Sequence, residues 1–252
     1  MKLGLIGAGN MASALARGIG EPALVHDIDA PKAEALAAEL GGEALGPLEL
    51  ADRADVVVLC HKPAQLDEVA RELTGRVRAV ASILAATTTG QIEQAYPGVP
   101  VYRFIPNIPA EVRRGVLCYV PGSRAADGPE DELLALFGRA GTIIPLDDEP
   151  LIEPAMALMS CGPAFMALVA QSFADAGTAH GLEPHDAMRM VAETMGGSAA
   201  YLAANDWDAE ALRRRVATPG GATERGLIRL EENGMRDLCR AAVDAVVEGT
   251  RG

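Results

Sequence analysis

The stretch Leu3-Gly-Leu-Ile-Gly7-Ala-Gly9-Asn-Met-Ala12 decides the fold class of this chain. A short apolar run leads into closely spaced glycines and then into a helical pattern, which predicts a strand, a tight turn and the start of a helix. In that order Gly7 allows the tight turn, Gly9 lets the backbone approach a pyrophosphate, and Ala12 permits close packing of the helix on the sheet. A helix that begins near Asn10 points its free N–H groups at the phosphates. The stretch predicts a dinucleotide site; the alternative is a glycine turn that only joins two elements.

Strands and helices continue to alternate along the first part of the chain. Buried strands are predicted over residues 2–6, 23–27, 55–60, 79–84 and 101–105, with two further strands at 115–120 and 142–146. Helices or single helical turns are predicted over residues 11–20, 31–40, 64–73, 91–95 and 130–139. This alternation is typical of a parallel sheet with helices on both faces, so we expect an α/β Rossmann-type dinucleotide-binding domain over residues 1–148.

The pattern changes after the acidic stretch Asp147-Asp148-Glu149-Pro150, beyond which no strand is predicted. Helices are predicted over residues 164–179, 186–204, 208–216, 223–232 and 235–248. We therefore expect an all-helical dimerisation and substrate domain over residues 149–252. The segment 164–179 is apolar nearly all the way round, which is typical of a helix buried on every side. In so small a domain this predicts packing against a second copy of the chain, and hence a homodimer or a higher homo-oligomer.

Charge and composition exclude several classes of partner. Lys and Arg number 22 against 35 Asp and Glu, which gives a net charge of −13, and aromatic residues make up 4% of the chain. A field of this sign repels phosphate backbones and anionic membrane surfaces, so neither nucleic acid nor a membrane is an expected partner. The basic run at residues 213–215 is explained by a solvated helix face.

Cysteine spacing and the first residues bear on location and metal binding. The four cysteines lie far apart, with no C-x-x-C pair, which is typical of reduced thiols and predicts no metal site. Met1 and Lys2 lead directly into a strand without the pattern of a signal peptide, and no uninterrupted apolar run is long enough to span a membrane. These features predict a cytoplasmic protein.

An acidic residue ends the second predicted strand. Asp27 follows Gly7 by 20 residues, the spacing at which a carboxylate accepts hydrogen bonds from the ribose hydroxyls and repels a 2′-phosphate. Ile28 comes next instead of an arginine, and Lys32 is the nearest base. We therefore expect NADH to be preferred over NADPH. The alternative is that Asp27 or Asp29 caps the helix that follows.

Five short motifs are distributed along nearly the whole chain. They are Gly7-Ala-Gly-Asn-Met11, His61-Lys62-Pro63, Arg103-Phe-Ile-Pro-Asn107-Ile-Pro109, Cys161-Gly-Pro-Ala-Phe165 and Thr218-Pro-Gly-Gly-Ala-Thr223. With these motifs the sequence resembles the pyrroline-5-carboxylate reductase family, the enzymes that catalyse the last step of proline biosynthesis. The resemblance implies NAD(P)H-dependent reduction of a cyclic imine, with 1-pyrroline-5-carboxylate as the expected substrate and L-proline as the product.

The sequence departs from the family pattern near the expected pocket. Met159-Ser160-Cys161 stands where the family has Ser-Gly-Ser, Met156 replaces a common threonine, and His61 replaces a small aliphatic residue. Residues 86–90 replace an Ala-Gly-Ile type of turn. These departures leave open a reductase of a different cyclic imine or keto acid on the same fold, and a nucleotide-binding relative without catalysis. A hydroxyacid-type reductase would need a positioned lysine, and residues 156–179 contain none.

The resemblance and the strand ends together give a set of candidate site residues. Cofactor binding is assigned to Gly7, Ala8, Gly9, Asn10, Met11, Asp27, His61, Lys62, Pro63, Ala85, Ala86 and Asn107. Substrate binding is assigned to Thr218, Gly220, Gly221, Ala222 and Thr223. Thr223 and Lys62 are the catalytic candidates, and no metal is expected.

Each of these assignments has a plainer alternative. The Pro-Gly-Gly turn (residues 218–223) ends one helix and starts another, so Thr223 is well placed as an N-cap; the resemblance instead implies that its hydroxyl reaches the imine nitrogen. His61 and Lys62 follow a strand at the end where open sheets bind ligands, but a Lys-Pro loop is common there. Asn107 either binds the nicotinamide carboxamide or satisfies local backbone groups.

Overall fold

The computed structural model describes residues 1–250, in which the chain forms two compact units. The first unit is Met1–Pro163 and the second begins at Ala164. The helix Ile152–Met159 lies in the first unit because its two ends pack beside Ile105 and Val120 of the sheet. The boundary expected after residue 148 lies ahead of this helix, and it stays a prediction.

One eight-stranded sheet forms the centre of the first unit. Its strands are β1 Leu3–Ile6, β2 Leu24–His26, β3 Glu43–Ala44, β4 Val56–Leu59, β5 Val80–Ser82, β6 Val101–Ile105, β7 Gly115–Pro121 and β8 Gly141–Pro145. They lie in the order β3-β2-β1-β4-β5-β6-β7-β8, and every neighbouring pair is parallel except β6 and β7. The Rossmann-type prediction is confirmed, and each predicted strand is present with its ends shifted by at most two residues.

Helices cover this sheet. Those of the first unit are α1 Asn10–Ile19, α2 Ala30–Leu40, α3 Pro47–Arg53, α4 Leu66–Leu73, α5 Thr89–Ala95, α6 Glu130–Phe137 and α7 Ile152–Met159. The sequence pattern missed β3, α3 and α7, because two residues of strand and one or two turns of helix are too short to show a period. The helix predicted over residues 64–73 begins at Leu66 instead, since residues 63–65 form a 3₁₀ turn.

The central strands β1, β4, β5 and β6 are buried on both faces, as their continuous apolar sequences require. Leu5 of β1 packs in one core cluster with Leu15 of α1, whereas the neighbouring Ile6 packs in the opposite cluster with Leu50 of α3. In the sheet register Ile6 lies beside the last residues of both β2 and β4. The residues that follow these three strands are therefore brought to one edge of the sheet.

The second unit is helical, as predicted. Its helices are α8 Gly162–Ala179, whose first two residues belong to the first unit, α9 Pro184–Ala203, α10 Ala209–Val216, α11 Ala222–Glu232 and α12 Met235–Thr250. Within its described residues the buried apolar side chains are those of Ala170, Ala174 and Ala187. Leu168 and Phe173 of α8, in contrast, are 68% and 50% exposed. A single copy of the chain thus leaves the apolar surface of α8 uncovered, and this helix is not buried on every side.

One segment passes a length-and-composition test for a membrane span. The run Glu149–Ala179 contains an 18-residue window of sufficient hydropathy, of which 22% is buried. The run is broken between α7 and α8, at Ser160 and Cys161. Because core helices of globular proteins pass the same test, the finding is weak support for a span.

Candidate active site

The glycine-rich turn (residues 7–9) joins β1 to α1. Gly7 has a φ of +110°, and a Cβ there would lie 2.7 Å from the carbonyl group of Cys60, so only glycine fits. Gly9 is the N-cap of α1, and a Cβ added to it would meet no atom within 4 Å. The inner side of the turn is therefore packed against the chain after β4, whereas its outer side has room for a ligand.

The first turn of α1 lies directly behind this open glycine. The first N–H group that bonds back along the helix is that of Ser13, which donates to the Gly9 carbonyl at 2.9 Å. The earlier N–H groups of a helix have no partner within it, and they carry the positive end of the helix dipole. Unpaired donors at an open glycine turn fit a pyrophosphate group.

Asp27 comes directly after β2 and holds the glycine-rich turn. Its Oδ2 accepts a hydrogen bond from the Ala8 N–H at 2.7 Å, and its Oδ1 accepts from the Asp29 N–H at 2.8 Å. Asp29 occupies the N-cap position of α2 without a side-chain capping bond, and its carboxylate lies 3.1 Å from Nζ of Lys32. Asp29 is thus the N-cap residue by position, as the alternative has it for Asp29, but its side chain makes no capping hydrogen bond. The Asp27 carboxylate is fixed beside the turn, and the side chain of Ile28 is 88% exposed.

His61, Lys62 and Pro63 follow β4 at the same edge. Nδ1 of His61 lies 2.9 Å from the carbonyl oxygen of Lys62; because a carbonyl only accepts, Nδ1 carries the proton and Nε2 is left as an acceptor. Nε2 is buried and has no partner among the described residues. Burial lowers the pKa of His61, which keeps the imidazole neutral near pH 7. The side chain of Lys62 is exposed, while its N–H donates to the Gln65 side chain at 3.2 Å.

Ala85 and Ala86 follow β5 in a strained turn. Ala86 has a φ of +50°, in the left-handed region that residues with a side chain seldom adopt. The Thr87 hydroxyl donates to the Ala85 carbonyl at 3.1 Å, and Thr88 caps α5 by accepting from the Gln91 N–H at 3.2 Å. The threonines that depart from the family pattern thus stabilise this turn and the start of α5.

A buried ion pair near β6 was missed by sequence reasoning. Arg103 is 5% exposed, and its Nη1 pairs with Glu149, which precedes α7. The same carboxylate oxygen accepts from the Thr89 N–H at 2.6 Å and from the Thr89 hydroxyl at 2.7 Å. Burial alone would raise the pKa of Glu149, but the bonds from Thr89 and Arg103 outweigh it and lower the pKa. An arginine inside a predicted buried strand was the available signal, because a buried charge needs a partner.

Asn107 follows β6 and has its side chain bonded on both sides. Its Nδ2 donates to the Met159 carbonyl at 2.8 Å, and its Oδ1 accepts from the Val116 N–H at 2.9 Å. The side chain is buried, and it connects the end of β6 to β7 and to the end of α7. These bonds favour the alternative in which Asn107 satisfies local backbone groups, and its cofactor contact stays a prediction.

The Pro-Gly-Gly turn connects α10 to α11 in the second unit. Gly220 has a φ of +74°, and a Cβ on Gly221 would lie 2.8 Å from the carbonyl oxygen of Thr218, so both positions favour glycine. The N-cap of α11 is Gly221, and the helix begins at Ala222. The expectation that Thr223 is the N-cap is therefore wrong, because the backbone turns helical one residue before it. Thr223 is exposed in the first helical turn.

Two side chains of α11 hold the apex of this turn. The N–H of Gly220 donates to the Glu224 carboxylate at 2.6 Å, and the carbonyl of Gly220 accepts from Nη1 of Arg225 at 2.8 Å. Neither Glu224 nor Arg225 was among the predicted site residues.

The four cysteines are free thiols, and no cluster that could hold a metal ion lies in the described part of the chain.

Comparisons with known proteins identify what the chain resembles. A family model described as pyrroline-5-carboxylate reductase dimerisation matches residues 149–252, and one described as NADP oxidoreductase, coenzyme F420-dependent, matches residues 2–86. A pyrroline-5-carboxylate reductase of Pseudomonas aeruginosa is 32% identical over 97% of this chain and 93% of its own length.

Solved structures show the same similarity. A pyrroline-5-carboxylate reductase from Coxiella burnetii superposes with a TM-score of 0.89 at 27% identity, covering 99% of this chain and 97% of the other. A pyrroline carboxylate reductase from Plasmodium falciparum, solved with NADP bound, has a TM-score of 0.85 at 26% identity, again with 99% and 97% covered.

Proposed function

The chain belongs to the pyrroline-5-carboxylate reductase family, and on that premise we propose that it reduces 1-pyrroline-5-carboxylate to L-proline with a reduced nicotinamide dinucleotide. The observation that carries the proposal is the similarity to the Pseudomonas aeruginosa enzyme over 97% of the chain, which extends through both compact units. The open glycine-rich turn of the first unit supports it independently, because this turn fits a dinucleotide.

The reaction requires mainly that the protein hold the nicotinamide and the imine in the correct relative position. A hydride leaves C4 of the reduced nicotinamide and adds to the carbon of the C=N bond, the ring nitrogen gains a proton, and the cofactor is left oxidised. A protonated imine is already electrophilic, so holding the two reactants in line supplies most of what the protein has to provide. Where the imine binds neutral, the hydroxyl of Thr223 or a water molecule supplies the proton.

The residues at the edge of the first sheet fit the cofactor. Gly7, Ala8, Gly9, Asn10 and Met11 would surround the pyrophosphate, and Asp27 would accept hydrogen bonds from a ribose. The N–H groups of Gly7 and Ala8 already donate to His26 and Asp27, so the donors for the phosphates would come from Gly9, Asn10 and Met11. His61 follows β4 at the same end of the sheet and would line the cofactor site. Lys62, Pro63, Ala85, Ala86 and Asn107 complete the proposed cofactor set, as residues that follow neighbouring strands.

We propose NADH as the preferred cofactor. The Asp27 carboxylate is fixed by two backbone N–H groups, so it cannot easily move away from a 2′-phosphate. The nearest base, Lys32, already pairs with Asp29. NADP occupies the related Plasmodium falciparum structure, so the preference for NADH is a specific property proposed for this chain.

The Pro-Gly-Gly turn is proposed to bind the substrate. Thr218, Gly220, Gly221 and Ala222 would hold its carboxylate at the start of α11, where the positive end of the helix dipole favours an anion. In the empty turn the Gly220 N–H donates to Glu224 and the Gly221 N–H donates to the Thr218 carbonyl. Thr223 is proposed to contact the imine nitrogen, which is supported by an exposed hydroxyl that serves no capping function. Lys62 is the second catalytic candidate, supported by its exposed ammonium group beside the proposed cofactor site.

The protein is proposed to act as a homodimer or larger homo-oligomer in the cytoplasm. The uncovered apolar side chains of α8 and the match of residues 149–252 to a dimerisation family support the oligomer. The free thiols support a reducing compartment.

A steady-state assay tests the proposed function. The purified protein should oxidise the reduced nicotinamide in the presence of 1-pyrroline-5-carboxylate and form L-proline in equal amount. A six-membered cyclic imine carboxylate and a linear keto acid serve as competing substrates. Faster turnover of either would favour the other reductases on this fold, and no turnover of any of them would favour a non-catalytic nucleotide-binding relative.

A further inference from the structure

Glu224 reaches back from the first turn of α11 to the apex of the Pro-Gly-Gly turn. Its carboxylate accepts a hydrogen bond from the Gly220 N–H at 2.6 Å, and its side chain is half-buried against the turn. Arg225 binds the carbonyl of the same residue at 2.8 Å. Gly220 itself is fixed in the left-handed region, with a φ of +74°. An acidic side chain therefore occupies the N–H group at the apex of this turn.

This N–H group is one of those proposed to bind the substrate carboxylate. A backbone N–H makes one strong hydrogen bond, so the Glu224 carboxylate and a ligand carboxylate require the same donor. Hydrogen bonds to an ionised acceptor are about twice as strong as those between neutral groups. The bond from the Gly220 N–H to Glu224 therefore competes measurably with binding of a ligand carboxylate. Two carboxylates a few ångströms apart also repel each other. A ligand carboxylate can bind at Gly220 only when Glu224 leaves.

We propose that Glu224 is a resident competitor that lowers the affinity of this site for carboxylate-bearing ligands and thereby sets its selectivity. The inference rests on the proposed function. Glu224 occupies the Gly220 N–H when the turn is empty, and the incoming substrate displaces it. The product carries the same carboxylate, so the returning Glu224 also favours product release. A cyclic amine without a carboxylate does not meet this competition.

A purely structural role for Glu224 makes a different prediction. The third residue of a helix often reaches back to an N–H group ahead of the helix and stabilises its start. Removing such a cap lowers the melting temperature, but it does not distinguish ligands with a carboxylate from ligands without one. The difference between the two kinds of ligand is therefore the decisive quantity.

The test replaces Glu224 by glutamine, which removes the charge and keeps an oxygen that can accept from Gly220. We expect the KM for 1-pyrroline-5-carboxylate and the inhibition constant of L-proline both to fall by about tenfold, the change that corresponds to removing a like charge at close range. Inhibition by pyrrolidine, which has the same ring without the carboxylate, should be unchanged. Glu232→Gln is the matched control, since Glu232 lies on the same helix, far from the turn, and pairs with Arg229 at 2.9 Å.

The outcomes separate this inference from the proposed function. If the parent protein turns over 1-pyrroline-5-carboxylate and Glu224→Gln changes neither constant, or changes the inhibition by pyrrolidine equally, the inference is overturned and the proposed function stands. If the parent does not turn over this imine, the proposed function fails. Calorimetric affinities for L-proline then decide the inference: tighter binding by Glu224→Gln supports it, and equal binding or none overturns it.

Discussion

Oδ2 of Asp27 and the backbone N–H of Ala8 are joined by a 2.7 Å hydrogen bond, which ties the residue after β2 to the turn after β1. The second carboxylate oxygen is held by the Asp29 N–H. The negative charge is thus fixed by the backbone before a cofactor arrives. A fixed acid at this place accepts hydrogen bonds from ribose hydroxyls and opposes a 2′-phosphate.

Replacing Asp27 by asparagine should reduce the preference for NADH over NADPH by about tenfold or more. Like charges a few ångströms apart cost roughly 1 kcal/mol in water and about 4 kcal/mol at an effective dielectric constant near 20. Asparagine retains one oxygen, which can accept from the Ala8 N–H and support the turn, while the bond from the Asp29 N–H is lost. The measurement is kcat/KM with each cofactor, and Asp29→Asn, which loses only the pair with Lys32, should leave the ratio unchanged. A parent enzyme that prefers NADPH would contradict this interpretation of Asp27.

Replacing Thr223 by valine should lower kcat several-fold without lowering stability. The lost hydrogen bond to the imine is worth about 1 kcal/mol, and the hydroxyl does not cap α11 because Gly221 holds that position. Asp208→Ala is the opposite control: Asp208 caps α10 by accepting from the Ala211 N–H at 2.8 Å, so its loss should cost about 1 kcal/mol of stability and leave kcat unchanged. A lower melting temperature with unchanged kcat for Thr223→Val would return Thr223 to a structural role.

Replacing Glu149 by glutamine should lower the free energy of unfolding by about 3 kcal/mol. The change leaves the buried guanidinium of Arg103 without its counter-charge, and an unpaired buried charge is costly. Asp52→Asn is the matched control, because its partner Arg76 is exposed and such pairs contribute at most about 1 kcal/mol. Urea unfolding of both variants measures the difference. Equal losses in the two variants would mean that the Arg103 pair contributes no more than a surface pair.

The same carboxylate predicts a pH dependence. Hydrogen bonds lower the pKa of Glu149 in the folded state, so the unfolded state binds the proton more readily. The stabilisation is therefore present above the ordinary pKa of 4.5 and is lost as the pH falls through the folded-state value. Below about pH 4.5 the stability of the parent should decline more steeply than that of Glu149→Gln. Parallel pH curves for the two proteins would contradict this.

Introducing a charge on α8 should separate the copies of the chain. Leu168 is 68% exposed in a single chain, and burying a leucine contributes about 1.5–3 kcal/mol, so Leu168→Glu removes that gain and adds the cost of burying a carboxylate. Light scattering at micromolar concentration should give a dimeric or larger mass for the parent and a monomeric mass for this variant. Val112→Glu, at a residue 70% exposed in the first unit, should keep the parental mass. A monomeric parent would refute the oligomer.

The parts of the fold that were predicted from sequence are those with long or repeated patterns. The strands around β1 and the five helices of the second unit follow from apolar runs and helical periods. The two-residue β3 and the helix α3 could not be found, because neither extends far enough to show a period.

The site residues that a local motif fixes in the backbone were predicted from the sequence. Those whose side chains bond to residues far away in the sequence were missed. Gly7 and Gly220 lie in the tight turns that their motifs predict. The bond from Thr89 to Glu149 joins residues 60 positions apart, and no local pattern records it. Asn107 shows the same limit, since its partner Met159 becomes a neighbour only after the chain has folded.

Transfer of an isotopic label tests the central claim most directly. The protein is incubated with 1-pyrroline-5-carboxylate and NADH that carries deuterium at both hydrogen positions of nicotinamide C4, and the product is analysed by mass spectrometry and NMR. A hydride transfer to the imine carbon predicts L-proline with one deuterium at C5 and an equal amount of oxidised cofactor. Unlabelled proline, or oxidation of the cofactor without any proline, would contradict the account.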